Sequence, residues 1–91
     1  MATWLELKSR AYSVHCDTIG GHYIEHKATG LSTPWNCGIA GQEYLADLKR
    51  AKRCRAAIFN SMCAEHFAEG ATVYNRAGEC GHMHKGQWVK D

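Results

Sequence analysis

One long segment, residues 42–69, constrains this chain most because it contains neither glycine nor proline. The segment is rich in Ala, Leu, Glu, Lys and Arg, which are among the residues with the strongest helix propensity. Gly70 follows directly and supplies a typical C-terminal stop. The sequence therefore predicts one main helix over residues 42–69.

The apolar residues of this segment recur at helical spacing and predict its buried face. An advance of about 100° per residue places eight of them on one stripe. They are Tyr44, Leu45, Leu48, Ala51, Ile58, Phe59, Met62 and Cys63. Arg55 falls in the middle of that stripe, and an unbroken helix would be about 40 Å long. We therefore expect a break between Lys52 and Arg55, a guanidinium that extends past the core, or a helix end that protrudes to meet a partner.

The N-terminal third predicts short antiparallel strands. Polar and apolar residues alternate along residues 4–8, 11–17 and 22–27, as expected for strands. Gly20 and Gly21 allow a tight turn before the last of these. Residues 31–41 predict a loop, because Pro34 and glycine interrupt any regular element. We expect Trp35 in this loop to fold onto the core.

The C-terminal end predicts a second hairpin, with strands at residues 71–76 and 86–90 and a connection at residues 77–85. The chain has 91 residues and an average apolar content, which suits one hydrophobic core. We therefore expect residues 1–91 to form a single small α+β domain, with an antiparallel sheet of short strands and one main helix packed on it.

Positive charge is concentrated in the middle of the predicted helix. The net charge is only +2, from eleven Lys and Arg against nine Asp and Glu. Five of the basic residues, here called the basic island, are Lys49, Arg50, Lys52, Arg53 and Arg55. The remaining six basic and nine acidic residues give the rest of the chain a net charge of −3. Such a cluster suits a polyanionic or acidic partner, although a solvated helix face would have the same composition.

Cysteine and histidine residues offer a second candidate site. Cys63 and His66 share a helix face, and Cys80 lies near His82 and His84 in the predicted connection. Together they could form a Cys₂His₂ zinc site that joins the helix to the hairpin. The spacing matches no familiar zinc finger, and a free cysteine is commonly a buried apolar residue. We expect no cofactor, with zinc as the alternative.

Three further histidines lie on the predicted N-terminal strands. His22 and His26 are four residues apart on one strand and therefore about 13 Å apart, too far to share a metal ion. With His15 on the neighbouring strand, they predict a polar sheet face.

Catalysis and membrane insertion find little support in the sequence. There is no nucleophile elbow, phosphate-binding loop or obvious pair of catalytic carboxylates. The longest uncharged stretch, residues 28–42, is too short for a membrane helix. The five cysteines form no Cys-x-x-Cys pair, and no secretion signal opens the chain. We expect a cytoplasmic protein that is not an enzyme and has no small-molecule substrate or membrane partner.

Two segments carry a resemblance to a known group: the hairpin AYSVHCDTIGGHYIEHKATG and the helix QEYLADLKRAKRCRAAIFNSMCAEHFAEG. In layout the chain resembles the small phage-encoded anti-CRISPR proteins that act on type I-F surveillance complexes. The resemblance implies a non-enzymatic inhibitor in the cytoplasm of a bacterial host. Such an inhibitor binds the protein subunits, and in some cases the guide RNA, and blocks target DNA binding or nuclease recruitment.

Two modes of inhibition and one other function remain open from the sequence. We favour insertion between protein subunits, with the basic island contacting RNA or acidic side chains. Alternatively, the opposite helix flank, with Glu43, Asp47 and Glu65, could mimic DNA, although a net charge of +2 argues against mimicry by the whole molecule. The alternative function is a small zinc-stabilised regulator that binds nucleic acid.

Overall fold

The computed structural model describes residues 5–17 and 21–91 and confirms the α+β fold class. Its strands form two antiparallel three-stranded sheets, and two helices lie between them in the sequence. The elements in chain order are β1 (Leu5–Lys8), β2 (Tyr12–Cys16), β3 (His22–His26), α1 (Gly38–Cys54), α2 (Ala56–Glu65), β4 (Thr72–Tyr74), β5 (Cys80–His84) and β6 (Gln87–Lys90).

The first sheet has the order β1-β2-β3, with the three predicted N-terminal strands in antiparallel register. Val14 pairs with Ile24 and Cys16 pairs with His22, and all four side chains are buried. Because successive side chains of a strand point to opposite faces, His15 and Tyr23 lie on the other face of this sheet. The alternation correctly predicts these strands and the shared face of Val14 and Cys16, but His22, which the sequence assigns to a polar face, is buried.

The second sheet has the order β4-β5-β6 and corrects the predicted C-terminal hairpin. Its central strand, β5, lies within the residues that the sequence predicts to be a connection. Gly81 and Met83 of β5 are buried, whereas Cys80, His82 and His84 alternate with them on the other face. The strand is hard to recognise because glycine and histidine have low or moderate β propensity. A two-residue turn at Lys85 and Gly86, both with positive φ, connects β5 to β6.

Residues 31–36 join the two sheets instead of forming a simple loop. Ser32 forms isolated bridges with Glu25 of β3 and Tyr74 of β4. The Thr33 hydroxyl accepts a hydrogen bond of 2.9 Å from the Ile24 backbone N–H. Trp35 is 46% exposed, so the prediction that it folds onto the core is wrong.

The predicted long helix is broken at Arg55, which confirms a break between Lys52 and Arg55. Arg55 has extended backbone angles, φ −158° and ψ 116°, and separates α1 from α2. The second helix packs against the first. The Tyr44 hydroxyl of α1 donates a 2.9 Å hydrogen bond to the Met62 carbonyl of α2. The first helix also begins at Gly38 (φ +89°), earlier than the predicted residue 42.

Two hydrophobic clusters lie beneath these elements. The larger cluster joins the first sheet to both helices and contains Val14, Cys16, Ile24, Leu45, Leu48, Ala51, Phe59 and Cys63. The smaller cluster contains Leu31, Val73 and Met83 and lies against the second sheet. Phe67 packs against both clusters and connects them.

Candidate partner-binding surface

The basic island lies at the turn between the two helices, which we call the elbow. Lys49, Arg50, Lys52 and Arg53 belong to the last turns of α1, and Arg55 is the extended residue of the break. Cations near the C-terminus of a helix interact favourably with its dipole, so the helix end tolerates this charge density. Arg55 does not enter the apolar stripe, because the break removes it from the helix and leaves it exposed.

The five basic residues differ in how closely the fold holds them. Lys52 places its ammonium 5.6 Å from the centre of the Phe59 ring, and Lys49 is half-buried. Arg50, Arg53 and Arg55 are exposed. Within residues 5–17 and 21–91, neither Arg53 nor Arg55 has a carboxylate at ion-pair distance. These two guanidinium groups are therefore available to an external anion.

The predicted acidic flank is only partly separate from the basic island. Glu43 and Glu65 are exposed, as expected for a helix flank. Asp47 instead faces Arg50, with 3.2 Å between its Oδ1 and the Arg50 Nη1, because residues three apart share a helix face. The prediction that Asp47 lies opposite Arg50 is wrong, and this contact weakens the reading of the flank as a DNA mimic.

An open groove, the elbow groove, lies between α1 and α2 beside the basic island. Its volume is about 390 Å³, and its lining consists of Asp47, Arg50, Ala51, Cys54, Ile58 and Met62. Ile58 is 44% exposed, although the helical stripe predicts that it is buried. The break changes the direction of α2 relative to α1, so a stripe drawn on one straight helix cannot place both halves correctly. In the sequence, the position of Arg55 within the apolar stripe indicates the helix break, and the groove lies between the two helices that the break separates.

The structure does not bring the predicted zinc ligands together in the residues that it describes. Cys63 is fully buried in the larger cluster, and burial raises the pKa of its thiol to about 12. Its companion His66 packs edge-on against Tyr44, with 5.0 Å between ring centres. No group of three or more His, Cys, Asp or Glu in the described part of the chain is placed to hold a metal ion.

The other three residues of the predicted zinc set, Cys80, His82 and His84, lie on β5 and contact carboxylates outside that strand. His82 Nδ1 lies 2.7 Å from Asp91 Oδ1, and the Cys80 thiol donates to the second oxygen of the same carboxylate. His84 Nδ1 lies 3.0 Å from Glu69 Oε2. These contacts fasten the second sheet to Asp91 and to Glu69, which is a structural role.

The histidines of the first sheet do not form one polar face. His22 is only 1% exposed and stacks on Tyr44, with 6.1 Å between ring centres. It lines a cavity of about 240 Å³ together with His66. Burial, followed by the charge of His22, lowers the pKa of His66, so this cavity favours a neutral His66 ring. His15 lies on the outer face, as predicted, 3.3 Å from Glu25.

Comparison with known proteins gave no relative for this chain. No protein-family model, curated protein or solved structure matches it. Neither helix in the described residues is long and apolar enough to cross a membrane.

Proposed function

We propose that this protein is a non-enzymatic inhibitor that binds a CRISPR guide-RNA surveillance complex through the basic island at its elbow. The observation that carries the proposal is the concentration of five cations, three of them exposed arginines, at the elbow of a chain whose remainder has a net charge of −3. The choice of a surveillance complex as the partner comes from the resemblance in layout to anti-CRISPR proteins. By occupying a protein or RNA surface, the elbow blocks target DNA binding or nuclease recruitment.

The geometry of the elbow supports this kind of contact. Arg53 and Arg55 are exposed and have no ion-pair partner among the described residues, so binding breaks no internal ion pair of theirs. A guanidinium recognises phosphate or carboxylate through two parallel hydrogen bonds.

The test compares two double charge reversals that change the net charge equally. Arg53→Glu/Arg55→Glu alters the elbow, whereas Arg10→Glu/Lys85→Glu alters exposed residues elsewhere. We expect the first variant to bind a purified type I-F surveillance complex at least about tenfold more weakly, because two charge-assisted contacts become repulsive. The second should bind like the unaltered protein.

Binding is measured by interferometry, inhibition by the shift of labelled target DNA, and folding by circular dichroism. A folded Arg53→Glu/Arg55→Glu variant that binds and inhibits fully would remove the basic island from the proposal. An unaltered protein that does not bind the complex at all would overturn the proposed function itself.

A further inference from the structure

The elbow groove combines an apolar floor with a basic rim. Ala51, Ile58 and Met62 provide an apolar floor, and Ile58 keeps 44% of its surface in water. Arg50 stands on the rim, and Arg53 and Arg55 flank Cys54 of the lining in sequence. Interfaces between proteins show this arrangement, with an apolar centre and arginine among the enriched residues.

The chemistry of the groove distinguishes between a polypeptide and a nucleic acid. Phosphate groups need only the cations and gain nothing from an open trench lined by Ile58 and Met62. Bases without base pairs stack on aromatic rings, and no aromatic residue among those that the structure describes lines this groove. An apolar side chain fits the floor, and a volume of about 390 Å³ is within the range of sites that enclose a ligand.

We infer that the elbow groove binds an amphipathic, acidic polypeptide segment of the partner. Its apolar side chains pack on Ala51, Ile58 and Met62, and its carboxylates pair with Arg50, Arg53 and Arg55. The inference rests on the proposed function, which makes the elbow the binding surface. It adds that the elbow contacts an acidic protein subunit. Asp47 holds Arg50 at the rim and disfavours acidic residues at its own end of the groove.

The test uses a synthetic helical peptide with Leu on one face and Glu on the other, labelled with fluorescein. A second peptide has Ser in place of each Leu, and a labelled single-stranded RNA is the third probe. We expect the Leu/Glu peptide to bind, and Ile58→Ser to weaken this binding about tenfold, as for an apolar side chain at the centre of an interface. Val89→Ser is the matched control, because Val89 is 40% exposed and lies on β6.

Cys54 provides a second measurement inside the groove. In a Cys37→Ser/Cys80→Ser background, which removes the other exposed thiols, Cys54 is the accessible cysteine of the described residues. We expect the Leu/Glu peptide to slow the reaction of Cys54 with a maleimide, and the RNA to leave its rate unchanged.

Several results would overturn the inference. They are equal binding of both peptides, full binding by a folded Ile58→Ser variant, or protection of Cys54 by RNA alone. A dimer in light scattering that Ile58→Ser dissociates would identify a second copy of this chain as the occupant. In each of these cases the surveillance complex can still bind, so failure of the inference is distinguishable from failure of the proposed function.

Discussion

At the scale of single residues, burial decides which of the chemically capable side chains can meet a ligand. Cys63 and His22 have the right chemistry for a metal site, but both are buried among core residues. Arg53 and Arg55, by contrast, are exposed and can meet a ligand. The sequence could locate the charged residues because their density is visible in one dimension. The sequence could not show whether Cys63 is a core residue or a metal ligand, because both roles fit the same helical spacing.

A prediction at this scale concerns Glu69, which fastens the turn between β5 and β6. Hydrogen bonds from the Lys85 backbone N–H and from His84, with the nearby charges of His84 and His82, hold the pKa of Glu69 below its usual value of 4.5. A lowered pKa in the folded state means that this carboxylate contributes stability above its unfolded-state pKa and loses it as the pH falls through the folded-state pKa.

We therefore expect Glu69→Gln to lower the urea midpoint at neutral pH, and the difference from the unaltered protein to shrink below about pH 4. Glu43→Gln, on the exposed surface of α1, is the control and should show no such convergence. Parallel midpoints for Glu69→Gln and the unaltered protein from neutral to acidic pH would contradict the assignment.

At the scale of elements, the sequence predicts best where a periodic pattern and a turn signal agree. The β2–β3 hairpin combines clear alternation with adjacent glycines, and its strands appear as expected. The strand β5 escapes prediction, because Gly81 offers no apolar side chain although its position faces the interior. The reason for a glycine at this position is visible only in the structure, where the indole of Trp88 from β6 lies directly over Gly81.

The prediction for this element is that Gly81→Ala destabilises the protein. A β-carbon at Gly81 would overlap the Trp88 indole and the Val89 carbonyl, and would disturb the 3.0 Å hydrogen bond from the indole to the Val73 carbonyl. We expect a loss of about 2 kcal/mol in the free energy of unfolding, as for overpacking in a core.

Urea titration followed by circular dichroism measures this loss. Gly78→Ala is the control for glycine replacement, because a β-carbon there meets open space and only the positive φ of 84° opposes it. It should cost about 1 kcal/mol. A Gly81→Ala variant no less stable than Gly78→Ala would show that the strand accommodates the added group.

At the scale of the whole molecule, the sequence predicts the fold class and the basic island but not how the parts are joined. The elbow groove depends on the angle between α1 and α2, and the sheets meet through the Ser32 bridges. Both features depend on contacts between residues distant in the chain, for which local periodicity gives no signal. The same argument identifies Phe67, after α2, as the side chain that ties the two hydrophobic clusters together.

The last prediction tests whether Phe67 makes the two sheets unfold together. Its ring packs 5.9 Å from Tyr12 of the first sheet, measured between ring centres, and also contacts the cluster of Val73 and Met83. We expect Phe67→Ala to cost about 2 kcal/mol, less than a fully buried phenylalanine because the ring is half-buried. Loss of this link should also let β4–β6 open while β1–β3 remain folded, since the two hydrophobic clusters then lose a side chain that packs against both.

Hydrogen exchange followed by mass spectrometry resolves the two sheets. In the unaltered protein, the slowest amides of both sheets should exchange at similar rates, as expected for one cooperative unit. In Phe67→Ala, those of β4–β6 should exchange faster than those of β1–β3. Phe59→Ala is the control, because Phe59 lies wholly within the larger cluster, and its loss should accelerate exchange in β1–β3 at least as much as in β4–β6. Equal acceleration of both sheets in Phe67→Ala would mean that Phe67 is not the side chain that couples them.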